Sequence, residues 1–284
     1  MYKFEITNQY GQTLDLSPAP GNPYVLKDAS GLGIPATTIN MTALSLQDGQ
    51  LYDSAKVAYR NLTLIVQIRQ DAEKNRLWAY KVLRPHAKLT VHYVSDRLDV
   101  CIDGYTANIQ PASFKLGQTL SINITCPNPY WYDTQEHHIS LAYTKPLFHF
   151  EHPSDSLETV MGEIIKQRQV DVVNAGDVDT GITIVIHATA EAVNPIVYNL
   201  KDNTFIKLNT TIPAGATVTI STLAGHKTAI QEVEGVTTNL FPAVDPASTW
   251  IQLQGLGNIF MYSADSGADD LEVSVSYRNL YAGV

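Results

Sequence analysis

The sequence predicts a mainly β protein built from two domains. Three observations carry this. Apolar and polar residues alternate strictly in several short stretches, as in Leu120, Ile122 and Ile124 against Ser121, Asn123 and Thr125. Such alternation marks a strand with one buried face. Turn-forming Gly, Asn, Asp and Pro recur at short intervals through the second half, the pattern of a β-sandwich. Finally, charge divides near residue 135: residues 1–135 carry 12 Lys and Arg against 11 Asp and Glu, and residues 136–284 carry 7 against 17. The divide follows Pro127 and Pro129, which stop the strand before them.

The expected domains are therefore 1–135 and 136–284, each long enough to bury its own core. In the first domain, residues 2–7 read as a short strand. Residues 11–54 follow, rich in Gly, Pro, Ser and Asp with short strand-like pieces such as Thr38–Met41, and read as an extended arm or belt ordered by neighbouring subunits. Val57–Arg69 is a strand with Leu62, Leu64, Val66 and Ile68 on one face. One helix is expected over 71–83, capped by Asp71, ended by Arg84-Pro85, and packed through Leu77, Trp78, Val82 and Leu83. Lys88–Val94 and Arg97–Ile102 read as strands, and Asp103-Gly104 as a hairpin turn leading back through Tyr105–Ile109. The whole reads as a β-sandwich-like domain with a single helix.

In the second domain, strands are expected at Ile139–Tyr143, Val170–Val173, Ile182–His187, Ile196–Leu200, Thr204–Leu208, Thr217–Ser221, Ile259–Tyr262 and Leu271–Tyr277. Turns lie between them, for example at Lys201-Asp202-Asn203 and Pro213-Ala214-Gly215.

Composition excludes several classes. A net charge of −9 without any Lys/Arg run argues against a nucleic-acid surface. The first residues, MYKFEITNQYG, hold no apolar segment of a signal peptide, and no stretch reaches the length of a membrane helix. Cys101 and Cys126 read as two unbridged thiols, as in a reducing compartment.

Candidate chemistry is sparse. His137, His138, His149 and His152, with Glu136 and Glu151, would suit a metal, but the tight paired spacing of a zinc motif is missing, and linker histidines are the better reading. Asp265, Asp269 and Asp270 form an acidic turn without the calcium-loop spacing, since Ser276 stands where the closing Glu belongs. Gly31-Leu32-Gly33 lacks the Gly-Lys-Ser/Thr of a phosphate loop. No nucleophile elbow or H-E-x-x-H occurs, so the expectation is no enzyme, no metal, no cofactor and no assignable ligand site. A glycoside or peptidoglycan hydrolase would need an acid pair meeting in space. Trp250, beside Ile251, reads as core in preference to a sugar platform.

Certain motifs in order along the chain carry a resemblance. They are Gly31-Leu32-Gly33-Ile34-Pro35, Asp48-Gly49, Arg60-Asn61-Leu62-Thr63-Leu64 and Tyr132-Asp133, then Asn174-Ala175-Gly176-Asp177, Thr180-Gly181, Asn194-Pro195, Leu256-Gly257-Asn258 and Tyr277-Arg278. In that order they resemble the distal tail proteins of siphophages that infect Gram-positive bacteria, phage- or prophage-encoded. The resemblance implies a first domain that assembles into a hexameric ring, with a channel for DNA as passing cargo. It implies a second, galectin-like β-sandwich projecting outward, without the galectin sugar-binding set. Implied partners are the tail tube protein, the tail-associated hub protein and, in some relatives, receptor-binding proteins; no membrane is implied. The implied location is the virion tail tip, after assembly in the host cytoplasm. The alternative reading is a carbohydrate-binding or adhesion protein acting through the second domain.

Overall fold

The computed structural model describes residues 2–45, 48–111, 118–146, 162–166, 169–255 and 257–284. It is mainly β, as expected, with one α-helix among the described residues. In chain order the first elements are β1 (Lys3–Asn8), β2 (Thr13–Asp15), β3 (Tyr24–Ser30), β4 (Thr37–Ala43), β5 (Gln50–Val57), β6 (Arg60–Ile68), α1 (Ala72–Val82), β7 (Lys88–Val94), β8 (Asp99–Pro111), β9 (Thr119–Cys126) and β10 (Trp131–Asp133). The next are β11 (His137–Ser140), β12 (Ala142–Pro146), β13 (Gly162–Lys166), β14 (Val170–Val172), β15 (Thr180–Gly181), β16 (Thr183–Ala188), β17 (Ala192–Val193), β18 (Ile196–Asn199) and β19 (Thr204–Lys207). The last are β20 (Thr211–Ile212), β21 (Thr217–Ser221), β22 (Thr228–Val233), β23 (Val236–Asn239), β24 (Gln252–Leu253), β25 (Asn258–Ser263), β26 (Leu271–Tyr277) and β27 (Leu280–Tyr281). No helix among the described residues is long and apolar enough to cross a membrane.

The chain forms two compact units, residues 1–134 with 280–284, and residues 135–279. This differs from the expected second domain of 136–284. Its last five residues belong to the first unit, because β27 pairs with β10, Trp131 opposite Tyr281. A two-residue strand after a polar Arg-Asn pair carries no periodicity that would reveal this partner.

Unit 1 is a nine-stranded sheet in the order β2-β1-β7-β8-β9-β6-β3, with β10 joined to β8 and β27. β6 and β9 lie side by side, Leu62 opposite Ile124 and Leu64 opposite Ile122, which puts their apolar faces into one core. The helix closes that core with Ala79, Val82 and Leu83, all buried. Asn8 anchors the helix end by donating from Nδ2 to the Val82 carbonyl (2.9 Å).

Three expectations for unit 1 need correction. Asp71 does not cap the helix through its side chain: its backbone is left-handed (φ 39°), and no first-turn amide bonds its carboxylate. Leu77 and Trp78 do not pack inward; they are 55% and 39% exposed. Asp103-Gly104 is not a turn, since β8 runs straight through it as one strand. Gly104 serves close approach instead: a Cβ there would sit 2.7 Å from the Ile124 side chain and 2.9 Å from Cys126 Sγ. The turn lies earlier, where the Ser95 amide donates to the Leu98 carbonyl (2.7 Å).

The expected arm over 11–54 also divides. β2 and β3 belong to the main sheet, whereas among the described strands β4 and β5 pair only with each other.

Unit 2 is a β-sandwich. A six-stranded sheet, β11-β26-β16-β21-β22-β23, and a four-stranded sheet, β14-β25-β18-β19, contribute to a single core. Ile184, Val218 and Val273 come from the first layer, and Val172, Val197, Ile206 and Phe260 from the second. The alternation of β26 appears directly, with Leu271, Val273 and Val275 buried. The β22–β23 hairpin was not foreseen, although Glu234 (φ 49°) and Gly235 (φ 80°) supply the two positive φ angles of a type I′ turn.

Candidate functional site

In unit 1, no group of His, Cys, Asp and Glu that could hold a metal occurs among the described residues. The most distinctive surface of this unit is the β4–β5 hairpin. The β-branched Thr37, Thr38, Ile39 and Thr42 favour extended backbone, and the strands pair from Thr37–Val57 to Ala43–Gln50, with a bulge between Asn40 and Met41. Asn40 Nδ2 donates to Ser54 Oγ (2.9 Å), and Thr42 Oγ1 to Asp53 Oδ2 (2.6 Å). Every described residue of β4, and all of β5 except Val57, is exposed on both faces. Ile39, Met41, Leu51 and Tyr52 are each more than half exposed. A lone two-stranded hairpin is marginal in water. Exposed apolar surface of this extent marks an interaction site.

A second exposed apolar face lies on α1. Leu77 and Trp78 line a groove of about 520 Å³ with Pro23, Tyr24, Lys74 and Lys81. Trp78 is held in place, its Nε1 donating to the Thr13 carbonyl (3.3 Å) while Lys81 Nζ lies 5.6 Å from its ring centroid. The Tyr24 hydroxyl donates to the Asn75 carbonyl (2.7 Å), and burial pushes its pKa up to about 12.

At the start of β6 sits a buried knot at Arg60. Its Nε donates to the Pro129 carbonyl (2.7 Å), Nη1 to the carbonyls of Gly31 and Gly33 (2.6 Å to Gly33), and Nη2 to that of Ala282 (2.6 Å). The guanidinium also lies 5.9 Å from the Trp131 ring centroid. Burial lowers its pKa from the usual value. Gly31 has φ 83°, and a Cβ there would overlap the Asn61 carbonyl. The motif Gly31-Leu32-Gly33, the strand starting at Arg60 and the Pro-rich stop thus meet at one side chain. The sequence motifs contain these residues without revealing their common centre. An Arg opening a strand, with no acidic residue between Asp53 and Asp71, was the available signal.

The motifs of unit 2 turn out to be asparagine staples. Asn174 Nδ2 donates to the carbonyls of Val178 and Leu253, both at 3.0 Å, while its Oδ1 accepts from the Gly176 amide (2.9 Å). Asn258 Nδ2 donates to the Gln254 carbonyl (3.1 Å), and Asn199 Nδ2 donates to Asn258 Oδ1 (3.1 Å). At Thr180-Gly181, a Cβ on Gly181 would stand 2.7 Å from Leu223 Cα. These residues fix loops with buried amides, which must be hydrogen-bonded to be tolerated.

The remaining candidates find ordinary roles. His137 stacks on Tyr277 (5.2 Å between centroids), and its Nε2 pairs with Asn279 Nδ2 (3.1 Å). His149, His152 and Glu151 lie outside the described residues, and no metal-ligating cluster occurs among the described ones. Asp265 accepts from Asn194 Nδ2 (2.8 Å), and this bond holds its carboxyl below the usual range. Asp269 and Asp270 lie in a one-turn 3-10 helix, Ala268–Asp270. Cys101 and Cys126 are buried and unjoined by a disulfide. Ile251 is fully buried, and Trp250 packs on the core only partly buried.

Comparison with known proteins gives the class. Residues 175–281 match the family model of the siphovirus-type tail component, C-terminal domain. Among solved structures, the Dit protein of phage SPP1, described as a paradigm of the hub adsorption apparatus in phages infecting Gram-positive bacteria, superimposes with TM-score 0.66 over 98% of both chains at 13% identity. The phage P2 baseplate in its activated, calcium-bound conformation gives TM-score 0.51 at 12% identity, covering 97% of this chain and 98% of that one. No curated protein matches the sequence. Residues 175–281 thus resemble the C-terminal domain of siphovirus-type tail components, and the chain has a fold similar to that of the SPP1 Dit protein and of the phage P2 baseplate. The resemblance drawn from the ordered motifs stands.

Proposed function

We propose that this chain is a ring-forming structural subunit of a siphophage tail tip, without catalytic activity. Six copies close head to tail through unit 1, since identical subunits with complementary surfaces close a ring by heterologous contacts. The ring joins the tail tube protein on one side and the tail-associated hub protein on the other. Its central hole continues the path of the DNA, and it assembles in the host cytoplasm.

The observation that carries this reading is the β4–β5 hairpin, paired only with itself among the described strands and exposed on both faces. Its apolar side chains gain burial only against another chain. Covering a large side chain contributes about 1.5–3 kcal/mol, so four such residues can hold a subunit contact. The family match and the SPP1 likeness supply the tail context.

The test replaces residues 37–57 by a short Gly-Ser linker and compares solution mass with that of the intact chain. The expected result is a ring for the intact chain and single subunits for the variant, with far-ultraviolet circular dichroism still that of a folded β protein. A variant that still forms rings would remove the hairpin from the interface.

A further inference from the structure

Unit 2 carries a groove of its own, apart from the unit 1 surface assigned to the subunit contact. It measures about 440 Å³ and lies on the outer face of the β22–β23 hairpin, against Phe241. In the register of this hairpin, Ile230 stands opposite Asn239, and Glu232 opposite Thr237. The apolar part of the groove is Phe241, 45% exposed, and Ile230, 41% exposed. Phe241 is propped from behind: it stacks on Trp250 at 5.4 Å between centroids and 22° between planes. Lys227 Nζ lies 5.4 Å from the centroid of the same Trp250 ring.

The polar part of the groove is uncommitted. Among the described residues, the Thr228 and Thr237 hydroxyls have no hydrogen-bond partner. Asn239 uses its Oδ1 to accept from the Phe241 amide (3.0 Å), which leaves its Nδ2 hydrogens pointing away from that bond. The groove therefore combines a rigid aromatic ring, short hydroxyl and amide groups and one cation at a defined end.

This set matches a sugar ring. A pyranose presents an apolar C–H face for stacking and a rim of hydroxyls for Thr and Asn. Lys227 at one end selects a negative substituent there, while Glu232, exposed and nearer the turn, stands opposite Thr237 outside the groove lining. An added peptide strand fits less well, because the open edge at β23 is only four residues long. We propose that this groove binds an anionic saccharide, a phosphate-bearing glycan chain in particular, with Phe241 as the stacking platform and Lys227 as the phosphate contact.

The test uses the full-length chain titrated with pentamannosyl phosphate and with neutral mannopentaose, followed by calorimetry and tryptophan fluorescence. The expected result is saturable binding of both sugars, with the phosphorylated one preferred. Phe241→Ala should weaken both about tenfold, and Lys227→Ala should abolish only the preference, the effect of losing one charged hydrogen bond. Thr237→Val offers a third, structurally mild probe. Absence of saturable binding, or affinities unchanged in all three variants, would overturn the proposal. So would equal competition by inorganic phosphate alone, which would reduce the groove to an anion contact. Solution mass read on the same samples separates this outcome from the ring reading, because the groove lies outside unit 1.

Discussion

At Arg60 one guanidinium donates to four backbone carbonyls from three separate segments, those of Gly31, Gly33, Pro129 and Ala282. A fork of five donors can do this, whereas an ammonium cannot span it. Arg60→Met should strand these carbonyls and lower the unfolding free energy by about 3 kcal/mol, measured by urea denaturation. Arg60→Lys should recover only a minor part of the loss. A loss below about 1 kcal/mol in the Met variant would show that water or neighbouring amides replace the guanidinium. A second residue-scale expectation concerns Cys126, whose thiol is pushed up to about 12, chiefly by burial. A raised pKa keeps the neutral, unreactive form dominant up to that pH. Iodoacetamide at pH 8 should leave Cys126 unmodified in the folded chain and alkylate it after denaturation. Rapid labelling of native Cys126 would contradict its burial.

Among the elements, the strands whose alternation was strict were legible: β6, β9 and β26 lie where Leu62, Leu120 and Leu271 begin their apolar series. The failures have physical causes. Asp103-Gly104 carries a strong turn signature, but Gly104 is needed where β8 and β9 press together, and tertiary packing overrode local chemistry. On α1, Leu77 and Trp78 look like core by type but sit on the outer side, because the helix needs only Ala79, Val82 and Leu83 to cover the sheet. The hairpin β4–β5 has no buried face; Thr38–Met41 reads as a strand-like piece within the arm, but nothing in it pointed to its partner strand. Its apolar residues make an element-scale prediction: Ile39→Asp with Tyr52→Asp should abolish self-association while shifting the thermal midpoint by less than about 2 °C, as expected of exposed positions. A large drop in midpoint would instead make the hairpin part of the fold of unit 1.

At the scale of the whole molecule, the charge divide near residue 135 falls beside the boundary between the units, at 134/135. The return of residues 280–284 to unit 1 was illegible, because it depends on Arg60 and β10, far away in sequence. A chain stopped at Asn279 should therefore lose stability in unit 1 while unit 2 melts unchanged, visible as one displaced and one constant transition in calorimetry. Equal displacement of both transitions would contradict this division. The candidate site was legible only in outline. Residues 11–54 suggested an arm, but the sequence did not separate β2 and β3, which enter the sheet, from β4 and β5, which stay outside it.

The most direct test of the ring is light scattering on a size-exclusion column with negative-stain images of the peak, for the chain alone and mixed with its tail tube protein. The account predicts a mass of six subunits and six-fold rings with a central hole. A single-subunit mass in both samples, with no rings in the images, would contradict it.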